Sequence, residues 1–188
     1  MRFHWFVDGG TLDLQSQKKL VDKLEDSGYY SALFVYHSLI QDNLLKAVRS
    51  LDLNQKIKYM IAIRTYAVSP EYLTMICRTL NEIAPDRFML NILAGDFKQE
   101  EKCLDNLVGS HDPLDSVDDR TLYTGKFLDK FVTDEIKSII EIAVAGISKN
   151  SINNAIRHGD YSISMLDEYK RAIEQEETKL ELLKVSKR

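Results

Sequence analysis

The side chains in this 188-residue sequence best suited to chemistry are those of His37, Arg64, Asn91 and Ser148, with Gly95 and Gly146 beside them. Arg64 offers a planar guanidinium that can pair with a phosphate, a sulfonate or a carboxylate, or close a structural salt bridge. His37 could move a proton near neutral pH, although the sequence places no partner beside it. These two are the candidate catalytic residues. Asn91 is an amide inside an apolar run, and a buried amide must be hydrogen-bonded, either to a ligand or to neighbouring backbone. Gly95 lets a ligand approach the backbone closely, or simply turns the chain. Gly146 and Ser148 lead into a helix, whose first amides and positive dipole end can hold a phosphate; Ser148 could equally be an ordinary N-cap. The remaining reactive types offer less. Cys77 falls on the apolar face of a helical pattern as core filler, Cys103 sits in a polar stretch, and neither has metal-ligand spacing, so no metal site is expected. His4 reads as structural within a strand, and His111 and His158 as surface residues.

The elements that must position these groups alternate along the chain. Apolar runs of strand length cover residues 3–7, 32–36, 57–63, 88–94, 139–145 and 161–166. Helical periodicity lies between them: Leu20, Val21 and Leu24; Leu44, Leu45, Val48 and Leu51; Leu73, Ile76, Cys77, Leu80 and Ile83; then residues 122–131; then Ile152, Ala155 and Ile156. Gly28 and Gly159 close the first and last of these helices, and Ser69-Pro70 opens the third as N-cap and first helical residue. A polar stretch over 97–119 is too long for an ordinary connection between a strand and a helix. Residues 167 onward form a charge-rich terminal helix. Six such strands separated by helices specify a parallel sheet buried on both faces, either open or curled into a barrel. In either layout, Arg64, Asn91–Gly95 and Gly146–Ser148 lie at or near the C-terminal ends of strands, the face where barrel enzymes place their chemistry.

Composition narrows the function. A net charge of −4 with interspersed signs provides no basic stripe for nucleic acid. The apolar runs fall far short of the roughly 20 residues of a membrane span, and the N-terminus lacks the form of a signal peptide, so a cytoplasmic protein is expected.

The segment Ile61-Ala62-Ile63-Arg64-Thr65-Tyr66-Ala67-Val68-Ser69-Pro70 resembles the "A-L-R-x-x-x-x-S-P" stretch of bacterial luciferase-like monooxygenases, in particular their alkanesulfonate monooxygenase branch. Residues 80–95 are similar to that family's "L-D-x-L-S-x-G-R-x-x-x-N-x-V-x-G". Further likeness lies in His4-Trp5-Phe6, in Asp119-Arg120 with Tyr123 and Phe127, and in residues 142–148, similar to a strand ending "G-G-S-S". The resemblance implies an α/β fold: a TIM-like (β/α) barrel, here one domain over 1–188 with about six βα units and without the last two. It also implies reduced FMN or the deazaflavin F420 as cosubstrate, a small organic substrate and a homo-oligomer. Asn91, Gly95, Gly146 and Ser148 would then serve the flavin. Several family positions differ. Asp8-Gly9-Gly10 replaces a histidine after the first strand, a cysteine maps near Ile40, and Ser162-Ile163-Ser164-Met165-Leu166 has no counterpart of the histidine and arginine near the sixth strand. The expectation is a flavin-dependent monooxygenase or oxidoreductase homologue of reduced competence. The alternative is a non-catalytic flavin-binding or structural protein on a decayed barrel.

Overall fold

Side chains in a parallel strand alternate between two faces, and in this protein both faces are covered. A computed structural model describes residues 3–7, 12–36, 41–95, 117–146 and 148–163. Six strands, β1 (His4–Val7), β2 (Ser31–Phe34), β3 (Lys58–Arg64), β4 (Phe88–Leu93), β5 (Glu141–Ala145) and β6 (Tyr161–Ile163), form one sheet in sequential order, and every pairing is parallel. The connecting helices are α1 (Leu14–Asp26), α2 (Asn43–Ser50), α3 (Pro70–Ile83), α4 (Val117–Phe131), α5 (Asp134–Ile139) and α6 (Lys149–His158). This is an α/β arrangement, with the strand order of the front part of a (β/α) barrel. Parallel neighbours joined by helical crossovers in steady succession are what the alternating sequence pattern demands.

One core lies between sheet and helices. Tyr59 and Ile61 on β3, Phe88, Leu90 and Ile92 on β4, and Ile142 and Val144 on β5 pack there against Val21, Leu73, Cys77, Leu128 and Ile136. A second, smaller cluster on the other face joins Leu33, Met60, Ala62, Met89 and Ala143, with Tyr30, Tyr36 and Leu93 packed against it.

The helix signals act as their chemistry requires. Ser69 caps α3 by accepting from Tyr72 N at 3.1 Å, with Pro70 at the first helical position. Gly28 follows α1 with φ +77°, the left-handed conformation that terminates a helix. Gly159 ends α6 differently: its φ is −88° and its N–H donates to Ala155 O, because the chain runs on toward β6 in extended form. Several strand ends shift by one residue, and three boundaries depart further from the sequence reading. Ile139 belongs to α5, since Thr133 accepts from Ile136 N and starts a short helix ahead of β5. α4 begins at Val117, five residues before its apolar periodicity is evident. β2 ends at Phe34, leaving Val35 and Tyr36 beyond the ladder. His111, Cys103, most of the polar stretch and the terminal helix expected from 167 lie outside the described residues.

Candidate functional site

Arg64, Gly95 and Gly146 stand at or just beyond the C-terminal ends of β3, β4 and β5, three adjacent strands. Asn91 lies one turn of the pleat deeper. In register it sits between Ala62 on β3 and Ala143 on β5. By alternation it shares the face of Met89 and Leu93, away from the helices. Its neighbours across the strands therefore carry only methyl side chains. Asn91 is 3% exposed, and its Oδ1 has no hydrogen-bond partner among the described residues. Leaving such an acceptor unsatisfied costs about 1–3 kcal/mol.

Arg64 ends β3 on the same face, two residues beyond Ala62. Its guanidinium lies over the Tyr36 ring, 5.5 Å from the centroid, a cation–π arrangement. The turn that follows Arg64 is tied down by a buried hydroxyl pair, Thr65 Oγ1 and Thr124 Oγ1 at 3.1 Å, which joins the end of β3 to α4.

The glycines at the rim are there for different reasons. Gly95 has φ +96°, a conformation that side-chain-bearing residues rarely adopt. Gly146 has φ +123°, and a Cβ there would fall 2.6 Å from Ser151 Oγ, so glycine is required by the packing of α6 itself. Ser148 is the N-cap of α6: its Oγ accepts from Ser151 N at 3.2 Å and lies 2.9 Å from Ser151 Oγ. Its cap role is thus realised. His37 lies outside the described residues.

A second group of titratable side chains lies at the opposite end of the sheet. Lys58, Tyr30, Asp86 and Glu141 form a polar network at the N-terminal ends of the strands. An open depression of about 450 Å³, with Phe3, Tyr29, Tyr30 and Glu25 in its lining, is also at that end. Cys77 is buried core, as its periodicity implied, and burial pushes its thiol up to about 12. His4 is structural: its Nδ1 is 2.7 Å from Ser31 Oγ. His158 corrects the sequence reading. Its side chain is only 10% exposed, with Nε2 3.1 Å from Asp129 Oδ1, because the last turn of α6 packs on α4. Burial holds its imidazole below the usual histidine range, against the pull of Asp129. Asn43, a buried amide in the first turn of α2, was missed; nothing in its flanking residues separates it from a routine polar residue after the Asp42 cap. No group of His, Cys, Asp and Glu that could hold a metal ion occurs among the described residues. Nor is any described helix long and apolar enough to cross a membrane.

The fold is that of the front part of a (β/α) barrel, and the comparisons with solved structures agree. No family model matches the chain. It superposes on the EDTA monooxygenase of Chelativorans sp. BNC1 with a TM-score of 0.62 and 10% identity, covering 88% of this chain and 54% of that one. A riboflavin lyase solved with modified FMN and its substrate riboflavin gives a TM-score of 0.72 at 12% identity, covering 97% and 58%. The coenzyme F420-dependent tetrahydromethanopterin reductase of Methanopyrus kandleri gives 0.63 at 15%, covering 86% and 55%. Likeness at these identities establishes the fold. The chain spans little more than half the length of these proteins.

Proposed function

We propose that this chain is a luciferase-like, flavin-dependent monooxygenase or oxidoreductase homologue of reduced catalytic competence. It would bind reduced FMN or F420, with a small organic substrate, against the C-terminal ends of β3, β4 and β5. The observation that carries this reading is Asn91. A buried amide oxygen without a partner, flanked by Ala62 and Ala143, fits an N–H of a heterocyclic ligand. The neighbouring structures support the ligand class, since one holds a modified FMN and another is F420-dependent by name. Bound flavin supplies electron or hydride transfer. The residues present would position it: Asn91 accepts from the ring, Gly95 allows close approach, and Arg64 offers its fork to an oxyanion. Gly146 and the Ser148-capped start of α6 complete the wall, with His37 as the proposed proton-transfer group.

Reduced competence has its support in the sequence: Asp8-Gly9-Gly10 stands where the resembling family carries a histidine after its first strand, and Ser162-Ile163-Ser164-Met165-Leu166 has no counterpart of the histidine and arginine near its sixth. The same departures favour a second reading, a flavin-binding or interaction protein without catalysis. A cytoplasmic homo-oligomer is the setting proposed for either. In its support, β1 is an edge strand whose Trp5 and Phe6 are exposed.

Titration with FMN, reduced FMN and F420, followed by flavin fluorescence and melting temperature, tests the proposal. Saturable quenching with a raised melting temperature is expected for at least one of them. No response to any of the three overturns flavin binding in both readings and leaves only the interaction protein. Binding without substrate-dependent oxygen or cofactor consumption selects the second.

A further inference from the structure

Asn43 is the first residue of α2 and is 7% exposed. Its Nδ2 donates to two backbone carbonyls, Phe34 O at 3.1 Å and Ala62 O at 2.7 Å. Those carbonyls belong to β2 and β3 at the point where the two strands part, their last paired residues being Phe34 and Ile61. Each also lies two residues before a member of the rim pair, Tyr36 after Phe34 and Arg64 after Ala62. One side-chain amide therefore supplies both strands with a donor where the ladder stops. Beyond it the strand ends present the Tyr36 ring and the Arg64 guanidinium over it. The opposite end of α2 is anchored separately, by Ser50 Oγ donating to Gln17 Oε1 on α1 at 3.2 Å.

We propose that Asn43 is a positioning residue for the Arg64–Tyr36 pair: its two hydrogen bonds fix the separation of the β2 and β3 ends at which the guanidinium lies over the ring. The ring then restricts where the Arg64 guanidinium can meet an oxyanion, whether carboxylate, sulfonate or phosphate. That last step rests on the flavin-and-substrate reading above; the positioning itself does not. A flexible arginine at a strand end would sample many rotamers, and restricting them lowers the entropy lost on anion binding.

The test separates the two. The Arg64 Nε–H resonance is assigned by its loss in R64K, and the ring-current contribution of Tyr36 is its shift on going to Y36L. In N43A most of that contribution is expected to vanish. S50A, which cuts a buried hydrogen bond at the other end of the same helix, should leave it in place. Retention of the wild-type shift in N43A, or an equal loss in S50A, overturns the proposal. Should N43A fail to fold, N43S is judged by the same two criteria. Reduced FMN binding to the wild-type protein is measured alongside. Its absence, with the shift lost in N43A, sinks the functional reading and leaves the positioning role standing. Its presence, with the shift retained in N43A, does the reverse.

Discussion

Lys58 Nζ and Glu141 Oε1 stand 2.6 Å apart although β4 runs between the strands that carry them. Tyr30 donates its hydroxyl to the same carboxylate, 2.6 Å from Oε1 and 2.8 Å from Oε2, and Asp86 bonds Lys58 from the turn before β4. Asp86 adopts φ +59°, a left-handed conformation that aspartate tolerates better than most residues. The network ties together the N-terminal ends of four strands, while the candidate site occupies the other end of the sheet. This division between a stabilising face and a chemical face is characteristic of parallel barrels.

Lys58 is 9% exposed along its side chain, so its charge depends on its partners. Burial draws its ammonium down, but the carboxylates of Asp86 and Glu141 outweigh this and hold it above the ordinary lysine range. K58M is expected to destabilise the fold by about 1–2 kcal/mol, because it leaves the partly buried Glu141 carboxylate without its cation. E141Q should cost less, since an amide oxygen can still accept from Tyr30. A raised lysine contributes fully at neutral pH and below, and loses its contribution only as the pH climbs past the ordinary lysine value and through the raised one. Urea unfolding of wild type and the two variants at pH 7 and above pH 11 checks both statements. A K58M variant as stable as wild type would show the network to be ornamental.

His158 has the opposite sign. Its folded-state value is depressed, so below the ordinary histidine range of about 6.5 the unfolded chain takes up more protons than the native one. Stability is present above that value and falls as the pH drops through it toward the folded one. Arg157 bonds the same Asp129 oxygen at 3.0 Å, so that ion pair survives when the imidazole is removed. Melting temperature plotted from pH 7.5 to pH 5 should therefore fall by a few degrees more for wild type than for H158Q. Parallel curves would show that the ring is not responsible.

Most of the scaffold could be read in advance, and the reason is local. Runs such as Phe88–Leu93 have no polar alternation because both faces of a parallel strand are buried, and the intervening helices carry their own caps. What escaped depends on contacts between distant segments. Lys58 and Glu141 look like solvent-facing charges near strand ends until the sheet order sets their strands on either side of β4. His158 looks exposed at a helix end until α4 packs over it. Asn43 shows nothing in its neighbours, because its two acceptors lie 9 and 19 positions away. At the candidate site, Asn91 was conspicuous as an amide in an apolar strand, whereas the mundane duties of Ser148 and Gly146 depend on the geometry of α6.

Cys77 is 0% exposed within the core beneath α3. With its thiol held near 12 by burial, essentially no thiolate exists at neutral pH. In a C103S background, alkylation of Cys77 should track global unfolding, and its rate should rise with denaturant as the unfolding equilibrium does. Fast labelling in the absence of denaturant would mean that α3 opens locally, with the rest of the fold intact.

Asn91 allows stability and function to be set against each other in one substitution. Leucine has nearly the same shape and lacks the orphaned oxygen, so N91L removes a buried acceptor without opening a cavity. If the amide serves only a ligand, the empty protein should become more stable by about 1 kcal/mol, since an unpaired buried acceptor is a net cost. The melting temperature should rise accordingly, by roughly 2–4 °C for a chain of this size. Flavin affinity should fall in the same variant, by the loss of one ligand hydrogen bond. N91D should fail on both counts, because a carboxylate placed between Ala62 and Ala143 has no counter-charge on either neighbour. A less stable N91L would show that the amide already satisfies some part of the backbone, and would remove the principal support for a ligand at this position. The trade of stability for binding is what a site under functional constraint exhibits, and here a pair of melting curves, with and without flavin, measures it directly.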